Sequence, residues 1–505
     1  MALLGAQLVI TLIMVSVIQK LGSYSFARWL LCSQRLYRYL YPTNSELKSL
    51  AGVPKESSKG KKGGKHESNG KPETFHVPRS LDIQLETAPV TPLDVVHLRF
   101  YTEYVWIVDF SLYTAIVYLM SEVYTSVFPL KDEFNLSMVW CLLVVLFSLY
   151  PLQIKCQFHN LSKIIKVVLV CKILLSLTKQ YFTSDESIGE RSTCIVAFCV
   201  FLLVAMMVLI VSEANLEVGV DPAYNSFYEN ASKFLENQGL SSVGPASKLI
   251  LKFFFAVWAA IIGTLFTFPG LRVARMHWDS LRYYGDNKMK SLLLNFNFAM
   301  PFVLVLLWVR PITRHYLTVR VFSGMEKPLM TSDAFDTMRI ILVASTIVIR
   351  LALMPRQLQA YLDMAQRRLD VQKKEAGRIT NIDLQKKIAS VFYYLCVVAL
   401  QYICPIIMCL YMALMYKTLG GYTWSGLFYE SQEVCTMDDK TSTVTDSIVE
   451  GDGIEQFQLA WENLKMVFTV DVYRGVFGFA TWWCCFAWFL TTSLGLAYQT
   501  YFRIS

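Results

Sequence analysis

Hydrophobic residues in this chain are gathered into long blocks that polar stretches separate. Most blocks have about the length that a helix needs to cross a bilayer, roughly 20 residues. We therefore predict an all-α polytopic membrane protein with about nine transmembrane helices and additional amphipathic interfacial helices. The blocks that contain or begin these helices are 1–19, 101–128, 139–150, 194–211, 249–268, 292–309, 338–354, 391–416 and 475–498.

The polar stretches divide the chain into five regions. Residues 1–19 form the predicted first transmembrane helix, with a signal sequence as the alternative interpretation. Residues 20–100 form a basic cytoplasmic loop, whose Lys-, Gly- and Ser-rich part 45–73 is predicted to be disordered. Residues 101–419 hold seven spans and the amphipathic helix 356–376. An acidic luminal or extracellular loop, 420–465, precedes the last transmembrane helix and a short tail, 466–505.

Helix-ending and helix-starting signals surround the amphipathic segment. Gly377 interrupts its pattern, and the spacing of Thr380 and Asp383 is that of a capping box, which predicts a new helix there. Gly420 and Gly421 predict where that helical stretch ends. Apolar positions in 356–376 recur at helical spacing, which is typical of a helix in the headgroup region. A cytoplasmic helix pair with one solvated face fits this pattern about as well.

Basic residues near the spans predict the topology, because cytoplasmic loops carry an excess of Lys and Arg. Segments 20–38, 272–290 and 356–387 are predicted to be cytoplasmic, and the segments around Asn230 and Asp438 lie on the other side. Asn230 begins an Asn-Ala-Ser glycosylation acceptor. The segment with Arg314, Arg320 and Lys327 is an exception, since it falls on the outer side. The basic residues expected to contact anionic lipid headgroups are Arg28, Arg35, Arg38, Arg367, Arg368, Lys373 and Lys374.

Charged residues inside the predicted spans are expected to find partners, since an unpaired charge is costly there. By depth, Asp109 matches Arg350 near the inner surface, and Glu122 matches Arg339 in the outer half. We predict these two ion pairs between the second and seventh spans, and favour a bundle-holding role over gating. Arg350 reaching to the interface without an acidic partner is the alternative. Further polar or helix-bending positions are Asn295, Asn297, Gln401, Pro301 and Pro405.

Composition narrows the class of function. Apolar residues make up 54% of the chain, which excludes an ordinary soluble enzyme, and the formal charge of +8 comes from loops rather than from a nucleic-acid-binding face. The 12 cysteines lie mostly in or beside apolar blocks, and the six histidines are scattered. We therefore expect no metal site, no cofactor, no disulfide framework and no nucleic-acid partner.

Several strings spread along the chain resemble the transmembrane protein 161 family. They are Ser25–Cys32 (SFARWLLC), Val139–Leu143 (VWCLL), Gly189–Ser192 (GERS), Phe268–Arg272 (FPGLR), Leu358–Leu362 (LQAYL), Lys374–Ile379 (KEAGRI) and Thr481–Trp483 (TWW). Lys417–Tyr422 and Val77–Leu119 look more like the A branch than the B branch. Residues 149–171 depart from the family pattern and look like an insertion of about one span length. The resemblance implies a multi-pass protein of the plasma membrane or endomembranes. It links one branch to protection from oxidative and DNA-damage stress, and the other to restraint of potassium and calcium currents.

Three classes of function remain. A regulatory membrane protein that contacts the bilayer and other membrane proteins, such as ion channels, is favoured because no nucleotide or metal motif is evident. A transporter or channel is the second interpretation, supported by the broken sixth and eighth spans. An enzyme is the least favoured interpretation, because no nucleophile, base and orienting group can be assembled from the sequence.

Overall fold

A computed structural model describes residues 25–32, 36–50, 74–78, 83–127, 188–237, 247–283, 287–323, 328–374, 377–424 and 467–501. Thirteen helices lie in these ranges: α1 Phe26–Cys32, α2 Asn44–Leu50, α3 Pro92–Val96, α4 Tyr101–Val127, α5 Ile188–Ile210, α6 Val220–Asn237, α7 Lys248–Tyr283, α8 Lys288–Leu306, α9 Ser332–Leu362, α10 Met364–Lys374, α11 Asn381–Tyr393, α12 Leu395–Leu419 and α13 Val470–Tyr501. A π-helical turn covers His315–Val319. The strands are β1 Tyr37–Tyr39, β2 His76–Pro78, β3 Thr87–Pro89 and β4 Arg378–Thr380.

Seven described stretches are long and apolar enough to cross a membrane, and they confirm the all-α polytopic class. They are Tyr101–Val123, Ser192–Ile210, Lys248–Tyr283, Lys288–Leu306, Ser332–Lys374, Asn381–Leu419 and Val470–Tyr501. Each contains or overlaps a predicted span. The predicted first and third spans, the insertion at 149–171 and most of the acidic loop 420–465 lie outside the described residues.

Helix α12 is the centre of the bundle, because nearly every side chain between Leu395 and Lys417 is buried. Helices α4, α7, α9 and α13 pack around it, and α7 also packs closely on α5 and α13. Small residues permit the close approach of α7 and α13: Gly270 lies against Thr491, and Gly495 lies against Ala274. Pro301 and Pro405 lie inside α8 and α12, so neither proline ends its helix.

Helix α5 has the smallest buried share of these described spans. Ile195, Val196 and Leu203 are all at least 60% exposed. Apolar side chains that point out of a membrane bundle face lipid or another membrane protein.

The local signals around the amphipathic segment are confirmed. The Thr380 hydroxyl accepts a hydrogen bond from the Asp383 backbone N–H at 3.1 Å and donates to the Asp383 carboxylate at 2.6 Å. Gly377 has a φ of 128° and lies between α10 and β4, and Gly421, with a φ of 69°, follows α12. Glycine adopts this left-handed backbone without the steric cost of a Cβ atom.

The apolar face of the 356–376 segment packs into the protein core and not into lipid. Its members Leu358, Tyr361, Leu362, Ala365 and Leu369 are all buried in the main hydrophobic cluster. Helix α9 continues through Pro355, and α10 packs against α11. The structure therefore favours the helix-pair interpretation of this segment.

The region before the second span is more ordered than predicted. Residues 44–50, assigned largely to the disordered part 45–73, form α2, whose Leu47 is fully buried. Strand β1 pairs antiparallel with β3, and β2 pairs antiparallel with β4. The β2–β4 sheet attaches residues 76–78 to the bundle because β4 precedes α11 directly, and β1 packs on α9 and α11. Hydrophobic periodicity does not predict strands of three residues.

The two ends of the bundle carry different segments. At one, called the α6 end, α4, α5, α8 and α12 finish and α7, α9 and α13 start. At the opposite α10 end, α7, α9 and α13 finish and α12 starts. Described parts of the three segments predicted to be cytoplasmic all lie at the α10 end, and Asn230 lies at the α6 end. The predicted relative sides therefore agree with the fold, while their orientation in the membrane stays a prediction.

Candidate functional site

A charged cluster lies at the α6 end, close to the first turns of α9. Thr331 caps this helix by accepting a hydrogen bond from the Ala334 N–H at 3.3 Å. Asp336 and Arg339 follow three residues apart, so they share one face of the helix. Both are buried, Arg339 completely.

Arg339 is held by carboxylates and by aromatic rings. It pairs with Asp336 directly and lies 3.6 Å from a Glu217 oxygen. The guanidinium lies 5.0 Å from the Trp308 ring centroid and 5.2 Å from that of Phe335. The rings cover the faces of the cation, because a desolvated guanidinium is attracted to an aromatic π face.

Glu217 reaches this cluster because of backbone pairing between two connecting segments. The Glu217 N–H donates to the Trp308 carbonyl at 2.9 Å, and the Arg310 N–H donates to the Asn215 carbonyl at 3.0 Å. The segment that follows α5 is thereby fixed beside the segment that follows α8. Arg314 then pairs with Glu217 and also lies 3.6 Å from Asp336.

The resulting charge cluster consists of Glu217, Arg314, Asp336 and Arg339, whose formal charges cancel, and Arg310 lies 3.8 Å from a Glu217 oxygen beside it. Arg314 sits on the side predicted to be outside, but its charge is compensated by carboxylates that belong to the fold. Arg320 stacks on the Tyr316 ring at 4.9 Å, and Lys327 lies outside the described residues.

A cavity of about 520 Å³ adjoins the charge cluster. Arg474 also lines this cavity, and its guanidinium donates to the Gly420 carbonyl at 2.7 Å and lies over the Tyr422 ring. The Tyr416 and Tyr422 hydroxyls are 2.9 Å apart. In the part of the chain that the structure describes, no three His, Cys, Asp or Glu side chains are grouped to hold a metal ion. The charge cluster and the cavity beside it provide paired charges and hydrogen-bonding groups.

Asp221 extends these contacts to α7. Its carboxylate pairs with Lys252 at 2.8 Å and with Lys248 at 3.1 Å. Burial raises the pKa of the Asp221 carboxyl, but the hydrogen bonds and charges of the two lysines outweigh burial, so the pKa lies below its ordinary value. The pair connects the start of α6 to the start of α7.

Both ion pairs predicted between the second and seventh spans are wrong. Asp109 instead accepts hydrogen bonds from the Ser25 hydroxyl at 2.6 Å and the Ala27 N–H at 2.8 Å, and so caps α1. Glu122 pairs with Lys417 on α12 and accepts from the Trp424 indole at 3.2 Å. The prediction failed because α4 packs against α12 rather than against α9.

Arg350 has neither predicted arrangement. It is 1% exposed, donates to the Asn297 carbonyl at 3.1 Å and lies 4.0 Å from the Trp488 ring centroid. Burial at this level also excludes the alternative in which Arg350 reaches the interface. Asn297 and Gln401 are both buried, and Asn295 lies beside His277.

Asn230 lies within α6, and its amide donates to the Ser226 carbonyl at 2.8 Å. The predicted lipid-contacting residues mostly have protein partners. Arg28 bonds to Tyr101, Arg38 pairs with Asp94, Arg367 with Asp279 and Lys373 with Asp370, whereas Arg368 bonds to Ser390. Arg35 lies outside the described residues.

Three important charged residues were missed by the sequence reasoning: Glu217, Asp336 and Lys417. Asp336 could have been found, because its spacing of three from Arg339 is a standard helical pair. Glu217 belongs to an acidic segment that gives no sign of its partner.

Comparison with known proteins supports the membrane assignment. A family model described as predicted transmembrane protein 161AB matches residues 2–159 and 155–503. The junction of these matches falls inside 149–171, where the sequence predicts an insertion. The model covers both branches, so the A-branch assignment stays a prediction. No solved structure matches the chain.

Proposed function

The chain belongs to the predicted transmembrane protein 161AB family, and we propose that it acts as a regulatory membrane protein without a catalytic site. One observation carries this proposal: charged side chains deep in the described helices are fixed by contacts within the bundle. Arg339 belongs to the balanced charge cluster, Glu122 pairs with Lys417, and Arg350 lies against Trp488. Groups held in this way stabilise one arrangement of helices.

The cellular role is protection against oxidative or DNA-damage stress. Support comes from the resemblance of Lys417–Tyr422 and Val77–Leu119 to the A branch, the branch that the resemblance links to this protection. Restraint of potassium or calcium currents, the role that the resemblance links to the other branch, is the alternative. In either role the exposed apolar face of α5 would contact lipid or a membrane partner such as an ion channel.

Survival of cells that lack the protein tests this role. Reintroduced wild type is expected to restore growth under hydrogen peroxide and under a DNA-damaging agent. Arg339→Gln is expected to restore less, because the charge cluster is broken, and Arg320→Gln, an exposed arginine at the same end, should match wild type. Unchanged survival together with altered potassium or calcium currents would favour the alternative role.

Transport is a second candidate function, favoured by the cavity of about 520 Å³ that charged residues line. Purified protein in liposomes distinguishes the two proposals. The regulatory proposal predicts ion flux no greater than that of empty liposomes. A flux above that background, reduced by Arg474→Gln at a residue that lines the cavity, would instead establish transport.

For this function the protein resides in the plasma membrane or in the membranes of the secretory pathway. Asn230 then lies on the luminal or extracellular side and is glycosylated. An endoglycosidase-sensitive mobility shift that Asn230→Gln removes is the expected result. Absence of the shift in wild type would contradict the modification, and labelling of an Asn230 tag from the cytosol would contradict the topology.

A further inference from the structure

Arg350 carries a positive charge into the interior of the bundle. The residue is 1% exposed, its guanidinium donates to the Asn297 carbonyl at 3.1 Å, and it lies 4.0 Å from the Trp488 ring centroid. The groups whose charge state acts on it are Tyr402 and Cys409, which are neutral at pH 7. Within the described part of the chain, Arg350 therefore has no acidic side chain to balance its charge.

The other buried cations of the bundle show the contrast. In the described part of the chain, three lysine or arginine residues are buried: Arg339, Arg350 and Lys417. Arg339 pairs with Asp336, and Lys417 pairs with Glu122. A buried charge without such a partner is costly, because burial removes the water that would otherwise solvate it. The carbonyl and the π face beside Arg350 attract the cation, but both are neutral groups and leave its net charge in place.

The Arg350 guanidinium also has a hydrogen-bond donor to offer. Its Nε atom has no acceptor within hydrogen-bonding distance among the described residues. A buried N–H group is normally hydrogen-bonded, either to the protein or to a bound molecule. This N–H group can therefore hold a ligand that accepts a hydrogen bond.

Asn297 and His277 place further polar groups beside Arg350. Asn297 from α8 is 1% exposed, and its side-chain oxygen has no hydrogen-bond partner in the described structure. His277 from α7 is 2% exposed, and the same holds for its Nδ1 atom. The His277 ring stacks on Phe298, the neighbour of Asn297, at 4.3 Å between ring centroids, and the charge of Arg350 acts on it. Helices α7, α8 and α9, which pack on one another, thus bring these polar atoms into one region.

Each of the three side chains can donate a hydrogen bond to an anion. The Arg350 Nε–H group does so directly. The Asn297 carboxamide presents its NH₂ group after a half-turn about its last side-chain bond, and an imidazole donates from the nitrogen that carries the proton. Hydrogen bonds to a charged partner are stronger than those between neutral groups. The set therefore suits a small anion.

Burial limits the size of that anion. Exposed fractions of 1% and 2% are too small for a nucleotide or a phospholipid headgroup to reach these side chains. One monovalent anion matches the single positive charge of Arg350. A water molecule would accept the hydrogen bond of the Nε–H group, but it would leave the charge unbalanced. These requirements favour a halide ion.

We propose that Arg350, Asn297 and His277 bind one chloride ion in the interior of the bundle. The ion balances the charge of Arg350 and accepts hydrogen bonds from groups on three helices. Its binding stabilises the folded bundle, because the unfolded chain does not form the site. The site lies about 16 Å along α9 from Arg339 and the charge cluster, and it does not depend on the regulatory role proposed above.

Thermal unfolding of the full-length protein in detergent tests the proposal. Sodium chloride is replaced stepwise by sodium gluconate at constant ionic strength. The wild-type unfolding temperature should rise with chloride along a saturable curve, by about 3 °C at a chloride concentration of 100 times Kd. Sodium bromide should act like sodium chloride, because bromide has the same charge and a similar size. Equal unfolding temperatures in chloride and gluconate would overturn the proposal.

Two arginine variants assign the effect to this site. Arg350→Met removes the unbalanced charge and should abolish the chloride dependence. Its matched control is Arg339→Met, which removes a buried arginine whose charge Asp336 balances. The control should be less stable than wild type but should keep the chloride dependence. Loss of the dependence in both variants, or in neither, would overturn the proposed site.

Asn297→Asp tests the site without removing the arginine. Its carboxylate would balance Arg350 from within the chain, so the unfolding temperature should no longer depend on chloride. In gluconate this variant should be at least as stable as wild type. Wild-type crystals grown in bromide should show an anomalous scattering peak beside Arg350. An Asn297→Asp protein with full chloride dependence, or bromide bound only elsewhere, would overturn the proposal even if Arg350→Met fails to fold.

Discussion

The Arg350 guanidinium lies 4.0 Å from the centroid of the Trp488 ring, so a buried cation on α9 rests on an aromatic side chain of α13. Its hydrogen bond goes to a backbone carbonyl, that of Asn297 on α8, at 3.1 Å. Among the described residues, no carboxylate lies within ion-pair distance of Arg350. Three helices therefore meet at one charge that a π face and a carbonyl stabilise.

Replacing either member of this contact should destabilise the bundle. A desolvated cation–π contact contributes about 2 kcal/mol, so Trp488→Leu and Arg350→Met should show a coupling of about that size in a double-mutant cycle. Thermal unfolding in detergent measures it. Strictly additive losses would mean that the ring and the guanidinium do not stabilise each other.

Arg339→Gln should be among the most destabilising single changes at the α6 end. It leaves Asp336 and Glu217 without a buried cation, which costs about 3–5 kcal/mol when a buried pair is broken. Arg339→Lys keeps the charge but loses the planar contact with Trp308. Its stability should therefore lie between those of wild type and Arg339→Gln. Exposed Arg320→Gln is the control and should stay within about 0.5 kcal/mol of wild type. A stable Arg339→Gln protein would contradict the structural role of the cluster.

Gly475 marks the closest approach of α13 to the start of α6. A Cβ atom built there would lie 2.1 Å from the Gly219 carbonyl oxygen and 2.4 Å from the Ala223 Cβ. Gly475→Ala should therefore lower the free energy of unfolding by about 1–3 kcal/mol. Gly478→Ala, whose nearest contact would be 3.1 Å, is the matched control and should cost less. Equal effects would show that this backbone contact does not hold the helices.

Asp221 should give the protein a pH-dependent component of stability. Burial raises the pKa of its carboxyl, but Lys252 and Lys248 lower it more, so the folded-state pKa lies below the unfolded-state value. Such a group contributes fully above the unfolded-state pKa of about 4, and the contribution is lost as the pH falls through the folded-state value.

Unfolding temperatures between pH 6 and pH 3 check this prediction. The wild-type temperature should fall more steeply below about pH 4 than that of Asp221→Asn. Asp370→Asn, which removes an exposed pair with Lys373, should follow wild type. Coincident curves for wild type and Asp221→Asn would contradict the contribution of the carboxylate.

The features that the sequence predicted correctly depend on residues that are close together in the chain. The apolar block 391–416 implied α12, and Thr380 with Asp383 implied the start of α11, because both signals depend on neighbours in the chain. Gly377 and Gly421 also marked helix ends, because glycine adopts a positive φ without the steric cost of a Cβ atom.

Partners across helices could not be predicted in this way. The depth of Glu122 was estimated from its position in the span, but depth does not say which helix faces it. That depends on the rotation of α4 and on the packing of α12 at the centre. Arg350 shows a second difficulty. Pairing charges by sign predicts a carboxylate partner, whereas the group that stabilises this guanidinium is the ring of Trp488. The strands β1 to β4 are too short for hydrophobic periodicity to indicate.

Fixed ion pairs between helices are central to the proposed function, and Glu122 with Lys417 is the pair that tests them most directly. It joins α4 to α12, with the two side chains only 13% and 8% exposed. Glu122→Lys and Lys417→Glu should each lower the folded yield and unfolding temperature, because each places two like charges together.

The double swap is therefore the decisive measurement. Glu122→Lys combined with Lys417→Glu should recover more than half of the unfolding temperature lost by either single variant, since the ion pair is restored with reversed direction. Recovery will be incomplete because the Trp424 indole N–H, 3.2 Å from the Glu122 carboxylate, loses its acceptor. A double variant whose loss equals or exceeds the sum of the single losses would show that the two residues do not pair, and would contradict a bundle held by fixed charges.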